Sequence, residues 1–320
     1  MASSRTRVFF VSDVHGSDKL FLKFVNAGAI YKANVLVIGG DVTGKAITPI
    51  FQKEDGGFTA RVMGSLRVAR TQSELDDLQK DIRFLGNYSY ITTEEEWNAL
   101  VKDQSKMDRL FDVVIAESIS RWCKIAEERL KPQGIRLIVN KGNDDPPIFE
   151  DTLRKSNFVE YPNERVTRVD AKHELVSLGY ANKTPWDLPG DLPEEVLQEK
   201  LDEAVSQVSD IKNAIFNIHV PPHDTHLDIA PLLDKSLTPK LTPGGEPEMA
   251  HVGSTAVRRG IERYQPLVGV HGHIHESKGY TKIGRTECFN PGSEYTTGLL
   301  KGVVLDFSDK KLESHLFTSG

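Results

Sequence analysis

Two cysteines in 320 residues, Cys123 and Cys288, leave no disulfide framework and no finger-type zinc spacing to find. Both sit in apolar stretches, and a reducing, cytoplasmic setting is expected. Long apolar runs are missing too. Nothing approaches the ~20 residues of a membrane span, and the basic opening Met1–Arg7 is followed only by the short run Val8–Val11, so neither a membrane segment nor a secretory leader is expected. An excess of positive charge is also absent. With 40 Lys plus Arg against 46 Asp plus Glu, the net charge of −6 gives no footprint for wholesale duplex binding, which leaves small or localised anionic ligands. The 38% apolar content, 25 Gly and 16 Pro show neither depletion nor repetition, which excludes disorder, collagen and coiled coil.

What the chain has in local excess is histidine. Seven of its ten histidines fall between His219 and His275, as a metal or acid–base site would require. Val8–Val11, Asn34–Ile38 and Ile135–Val139 are continuous apolar runs ending in polar turns, and they read as buried strands of an α/β sheet, with a helix over Ser17–Ala29. Ligands of open α/β sheets bind at the carboxyl ends of strands, so these three turns should converge on one crevice. From about Asn157 onward short strands follow in quick succession, at Arg165–Val169, Glu174–Leu178, Ala214–Ile218, Leu267–Val270, Gly279–Ile283 and Gly302–Phe307, and favour a second, mixed or antiparallel sheet. Nearly a hundred residues separate the second and third strands, too many for a simple crossover. Residues 46–130 are therefore expected to form an α-rich insertion or cap within a single domain spanning 1–320. They read as a hairpin (Phe58–Arg70), a helix (Ser73–Leu85) and a long Glu- and Lys-rich helical region (Glu94–Lys131). With 12 basic and 15 acidic residues, this segment reads as a solvated face that could also meet a protein partner or a second copy. Residues 223–253 read as a long loop beside the histidine-rich turns.

The motifs lie at the ends of these runs. Gly272-His273-Ile274-His275 follows Leu267–Val270, with two imidazoles two residues apart and able to face one side, while His271 points to the other and reads as a packed histidine. Asp13-Val14-His15 follows the first strand in the same way. Gly39-Gly40-Asp41-Val42-Thr43-Gly44-Lys45 has most of a phosphate-binding P-loop, but Ala46 lacks the hydroxyl for Mg²⁺ and Pro49 stands where the helix should propagate. The other reading is a tight turn at Gly39 and Gly40 that projects Asp41 into the crevice. Gly142-Asn143-Asp144-Asp145 adds an amide and two carboxylates. His219 ends another apolar run, with His223 and His226 beyond Val220-Pro221-Pro222. Together Asp13, His15, Asp41, Asn143, His219, His273 and His275 supply two carboxylates, four imidazoles and one amide, enough for two metals.

This ordered set resembles the calcineurin-like metallophosphoesterase superfamily, whose blocks run D-x-H, G-D, G-N-H-[DE], H and G-H-x-H. With Asn290-Pro291-Gly292-Ser293-Glu294 it is similar to the Icc-related predicted phosphoesterases. The resemblance implies a four-layer α/β/β/α sandwich. It also implies one metal on Asp13, His15, Asp41 and His275, and a second on Asp41, Asn143, His219 and His273, with Asp41 bridging. A metal-bridging hydroxide would then attack phosphorus in a binuclear phosphoesterase, with diesters favoured and a small phosphate ester as substrate. The mixed N/O ligand set suits Mn, Fe, Zn, Ni or Co, with Mn the first expectation. The third block departs from the family, because Asp144 stands where a histidine usually protonates the leaving group. A carboxyl beside two cations is held ionised, so Asp144 is expected to orient its neighbours, and either His223 supplies the proton or the substrate is an ester with a good leaving group. The rival readings are a scaffold with little or no catalysis that serves as a binding module, and a metallonuclease, against which the acidic net charge weighs.

Overall fold

Alternation along the first strand decides which way its sheet faces. In Thr6–Val11, Phe9 and Val11 enter one apolar core while Val8 and Phe10 enter another, the period of two that a strand buried on both faces must show. The computed structural model describes residues 5–234 and 236–320. Its first sheet has six strands in the order Lys311–Ser319, Lys301–Ser308, Thr6–Val11, Val35–Ile38, Arg136–Val139 and Val159–Glu160. Thr6–Val11, Val35–Ile38 and Arg136–Val139 run parallel in register, with Val11 opposite Ile38 and Ile38 opposite Val139. The turns after these three strands therefore emerge side by side.

The second sheet orders Gly279–Ile283, Thr286–Asn290, Val268–Val270, Ile215–Ile218, Glu174–Leu178 and Arg165–Arg168, with its four inner strands parallel. Leu175, Ile215, Val268 and Phe289 from this sheet share a core with Val8, Phe10, Val37 and Ile138 from the first. The opposite face of the first sheet packs against the helices Asp18–Ile30, Gln104–Leu130 and Pro147–Leu153, and that of the second against Glu194–Val205 and Thr255–Tyr264. The fold is mixed α/β, with seven α-helices among the described residues, none of them long and apolar enough to cross a membrane.

One strand expected in the second sheet belongs to the first. Lys301–Ser308, expected from the sequence as Gly302–Phe307, pairs antiparallel with Thr6–Val11, placing Val303 opposite Phe10 and Leu305 opposite Val8. Periodicity identifies the strand but carries no information about its partner. Residues 47–92 contain a separate four-stranded sheet, ordered Ser65–Ala69, Phe58–Val62, Ile47–Gln52 and Tyr88–Thr92. The helix Gln72–Phe84 closes it with Leu75, Leu78 and Ile82 against Ile50, Ala60 and Val62, and a capping box of Thr71 and Glu74 starts that helix. The helix Glu94–Val101 follows, and then Gln104–Leu130 returns to the main core through Val114, Ile115, Ile119 and Trp122. Within 223–253 the structure forms only the short antiparallel pair Ile229–Pro231 and Met249–His251 and isolated bridges among the described residues.

Candidate metal centre

Each candidate side chain stands just past the carboxyl end of a strand. Asp13 and His15 follow Val11, Asp41 follows Ile38, Asn143 follows Val139, His219 follows Ile218, and His273 and His275 follow Val270. The turns lock to one another through backbone hydrogen bonds, Asp13 N to Gly40 O (2.9 Å), His15 N to Asp41 O (3.0 Å) and Gly272 N to His219 O (2.9 Å). Asp145 is the clamp. Its buried carboxylate accepts from Val42 N (3.0 Å), Thr43 N (2.8 Å), Thr43 Oγ1 (2.7 Å) and Gly142 N (2.8 Å), joining the second turn to the third. Gly142 is needed for that approach, since a Cβ there would land on Asp41 Oδ1.

Two groups of side chains offer ligand atoms within 4.8 Å of one another, Asp13 with His15 and His275, and Asp41 with His219 and His273. A third grouping, His15 with Asp41 and Asp144, links them. His15 Nε2 and His275 Nε2 are 3.2 Å apart, His275 Nε2 is 3.4 Å from Asp13 Oδ1, and His219 Nε2 is 3.3 Å from Asp41 Oδ1. Asp13, His15, Asp41, Asn143 and His219 are buried, yet His15 Nδ1, Asn143 Oδ1 and both ring nitrogens of His219 have no hydrogen-bond partner. Buried polar atoms are ordinarily satisfied, so unpaired imidazole nitrogens and an amide oxygen beside two carboxylates fit the donor set of a divalent transition metal.

The electrostatics divide the imidazoles. Burial alone would raise the Asp41 carboxyl, but His219 and then His15 and His273 hold it well below the usual carboxylate range, and Asp13 is lowered against burial by His275 and His219. Burial would lower the His219 imidazole, but Asp41, with Asp13 and Asp145, raises it to about 9. Burial lowers His15 to about 3 and His273 to about 4, so these rings keep lone pairs for a cation at neutral pH. The backbone is also unusual here. Asp13 (φ 58°), His15 (φ 40°), Asp41 (φ 50°) and His273 (φ 67°) all adopt the left-handed region, a conformation that costs about 1–3 kcal/mol at a non-glycine residue and persists only where the surroundings over-determine it.

Further residues surround these seven. Asp191, buried, accepts from Asn143 Nδ2 (2.8 Å), which fixes the amide so that Oδ1 is the free atom. Tyr295 lies over His15 (ring centroids 4.5 Å) and beside His275 (5.7 Å). Lys45 forms an ion pair with Asp144 (Nζ to Oδ2, 2.7 Å), whose carboxyl burial and then Asp41 raise above its ordinary value. No motif marks Asp191, which is brought in from a distant segment, whereas Tyr295 lies directly after the Asn290–Glu294 run. His271 is buried with Nδ1 on Ile218 O (2.8 Å). His223 is partly exposed, and its neighbours include Asp228 (3.6 Å) and His251 (ring centroids 5.9 Å).

No family model matches the chain. An uncharacterized protein of Methanocaldococcus jannaschii is 36% identical over 152 residues, which span 47% of this chain and 61% of that protein, so the chain covers less than two thirds of its curated relative. Among solved structures, one aligns over 99% of both chains at 16% identity with a TM-score of 0.59. The protein TT1561 of Thermus thermophilus aligns over 99% of both chains at 14% identity with a TM-score of 0.55. Likeness at that level shows a shared fold.

Proposed function

We propose that the chain is a metal-dependent phosphoric ester hydrolase holding two divalent cations, one on Asp13, His15, Asp41 and His275, the other on Asp41, Asn143, His219 and His273. The observation that carries this reading is the pair of His–carboxylate groups at adjoining strand ends, with unpaired buried nitrogens and an amide oxygen among them. Two cations held side by side lower the pKa of a shared water and neutralise phosphoryl oxygens, which is the chemistry of ester hydrolysis. The chain's own residues do the rest. Asp145 and Asp191 fix the turns and the Asn143 amide, and Tyr295 packs on two ligand imidazoles, so the donors are preorganised and need little rearrangement to accept charge. The sequence of cores, helix on sheet, sheet on sheet, sheet on helix, supports the four-layer α/β/β/α arrangement with residues 46–130 inserted.

Manganese, a diester substrate and a cytoplasmic setting complete the proposal. The oxygen donors of Asp13, Asp41 and Asn143 beside the imidazoles support the first, and two unpaired cysteines support the last. Reconstitution with Mn²⁺, metal analysis, and hydrolysis of bis-p-nitrophenyl phosphate and p-nitrophenyl phosphate test it together. Wild type should hold two cations and turn over the diester, and Asp41→Asn should lose metal and drop turnover by about 100-fold or more, the scale of removing one key charge-stabilising group. Two cations with no turnover on either ester would instead mark a binding module.

A further inference from the structure

Lys45 brings an ammonium to the edge of the metal centre on a backbone that cannot wander. Asp145 holds Val42 and Thr43, and Gly44 N donates to the buried Tyr88 Oη (2.7 Å). Gly44 is so close to Gly86 that a Cβ would meet its carbonyl oxygen. The side chain that follows is half exposed. Its Nζ sits 2.7 Å from Asp144 Oδ2, and among the described residues it has no second hydrogen-bond or ion-pair partner. Asp144 in turn donates its N–H to Asp41 Oδ1 (3.2 Å), and its carboxylate shares a 4.8 Å neighbourhood with ligand atoms of His15 and Asp41. Two donor positions of the ammonium are therefore free at the rim, beside the space where the candidate ligands converge.

We propose that Lys45 is a substrate-contacting residue, whose ammonium meets the phosphoryl oxygens of an ester bound at the paired cations, and that Asp144 is the anion holding it there until substrate competes for it. This rests on the phosphoesterase reading above. Lysine suits the task as a compact point charge with three rotatable donors. The Lys45 end of the pair is half exposed, so a second anion can reach the ammonium from solvent and compete with Asp144 for it. The pair thus takes the place of the imidazole that the third motif lacks, with the cation supplied from the second turn and its counter-ion from the third.

Inorganic phosphate, titrated calorimetrically into the Mn²⁺-reconstituted full chain, tests this with metal content measured in every sample. Lys45→Met should retain its metal and bind phosphate about tenfold more weakly, the scale of one charge-assisted hydrogen bond. Lys45→Arg should recover most of the affinity. Asp144→Asn should bind phosphate more tightly than wild type, because the competing anion is gone, and this arm decides alone if Lys45→Met does not fold. Phosphate affinity indifferent to Lys45→Met at full metal content, or weakened alike by Lys45→Met and Asp144→Asn, overturns the proposal while the hydrolase reading stands. A wild type that takes up no metal overturns both.

Discussion

Asp13, His15, Asp41 and His273 hold left-handed backbone at four of the seven candidate ligands, in turns that hydrogen bonds from neighbouring turns tie together. The site is therefore a rigid set of donors built at a conformational cost, the usual relation between a functional site and its scaffold. Away from it, single residues behave as burial dictates. Burial pushes the Cys123 thiol up to about 11 and the Cys288 thiol up to about 12. At pH 8 both should resist a thiol reagent such as DTNB, and two equivalents should react once urea unfolds the chain. The same shifts set a sign: above about pH 9 the unfolded thiols lose protons that the native ones keep, so this contribution to stability falls as pH rises. Which residues are legible follows from the same physics. Asp13, Asp41, His219 and the Gly272–His275 motif each closely follow an apolar run, so the sequence alone shows where their side chains emerge. Asp191 and Tyr295 reach the site through contacts that only the folded chain creates, and Lys45 is readable only as part of a P-loop that Ala46 and Pro49 exclude.

The small sheet of residues 47–92 is tied to the turns of the metal centre by few but specific bonds: Tyr88 Oη accepts from Gly44 N (2.7 Å), Ser17 Oγ donates to Phe84 O (2.8 Å), and Arg83 pairs with Asp18 (3.1 Å). Tyr88→Phe would leave the buried Gly44 N–H unpaired, at an expected cost of about 1–3 kcal/mol in urea unfolding. Because Gly44 sits between Asp41 and Lys45, the same variant should also weaken metal uptake. The charged surface of residues 46–130 suggests a solvated elaboration, but the last helix of that stretch, Gln104–Leu130, is part of the main core: Trp122 stacks on Phe21 (ring centroids 4.3 Å) and donates to Asp18 (2.6 Å). A long helix with one apolar stripe reads as amphipathic from its sequence, whereas the surface it covers does not. The helices Glu194–Val205 and Thr255–Tyr264 are written in the sequence as apolar residues at helical spacing, Leu197, Leu201, Ala204 and Val205 in one and Ala256, Val257, Gly260 and Ile261 in the other, although strand-like runs dominate the stretch around them.

Across the whole molecule, the two sheets contribute candidate ligands to one cluster, so a cation bound there would bridge them. Stripping the protein with a chelator should lower its Tm, and restoring Mn²⁺ at about 1,000 times its dissociation constant should return about 4 kcal/mol of stability, read as a rise in urea midpoint. A midpoint unchanged by metal would show that the cations do not bind the folded chain. The architecture is legible as far as strands and their order along the chain, and illegible in the pairing of Thr6–Val11 with Lys301–Ser308, which depends on contacts between opposite ends of the sequence. That pairing also shapes how the chain is made. During synthesis Val8 must wait for Leu305, so the apolar first strand stays open on one side until the chain has been made as far as that residue. A nascent chain stalled before residue 301 exposes a bare strand edge, and chaperone dependence and inclusion-body formation should track the arrival of that last hairpin more closely than any event at the metal centre.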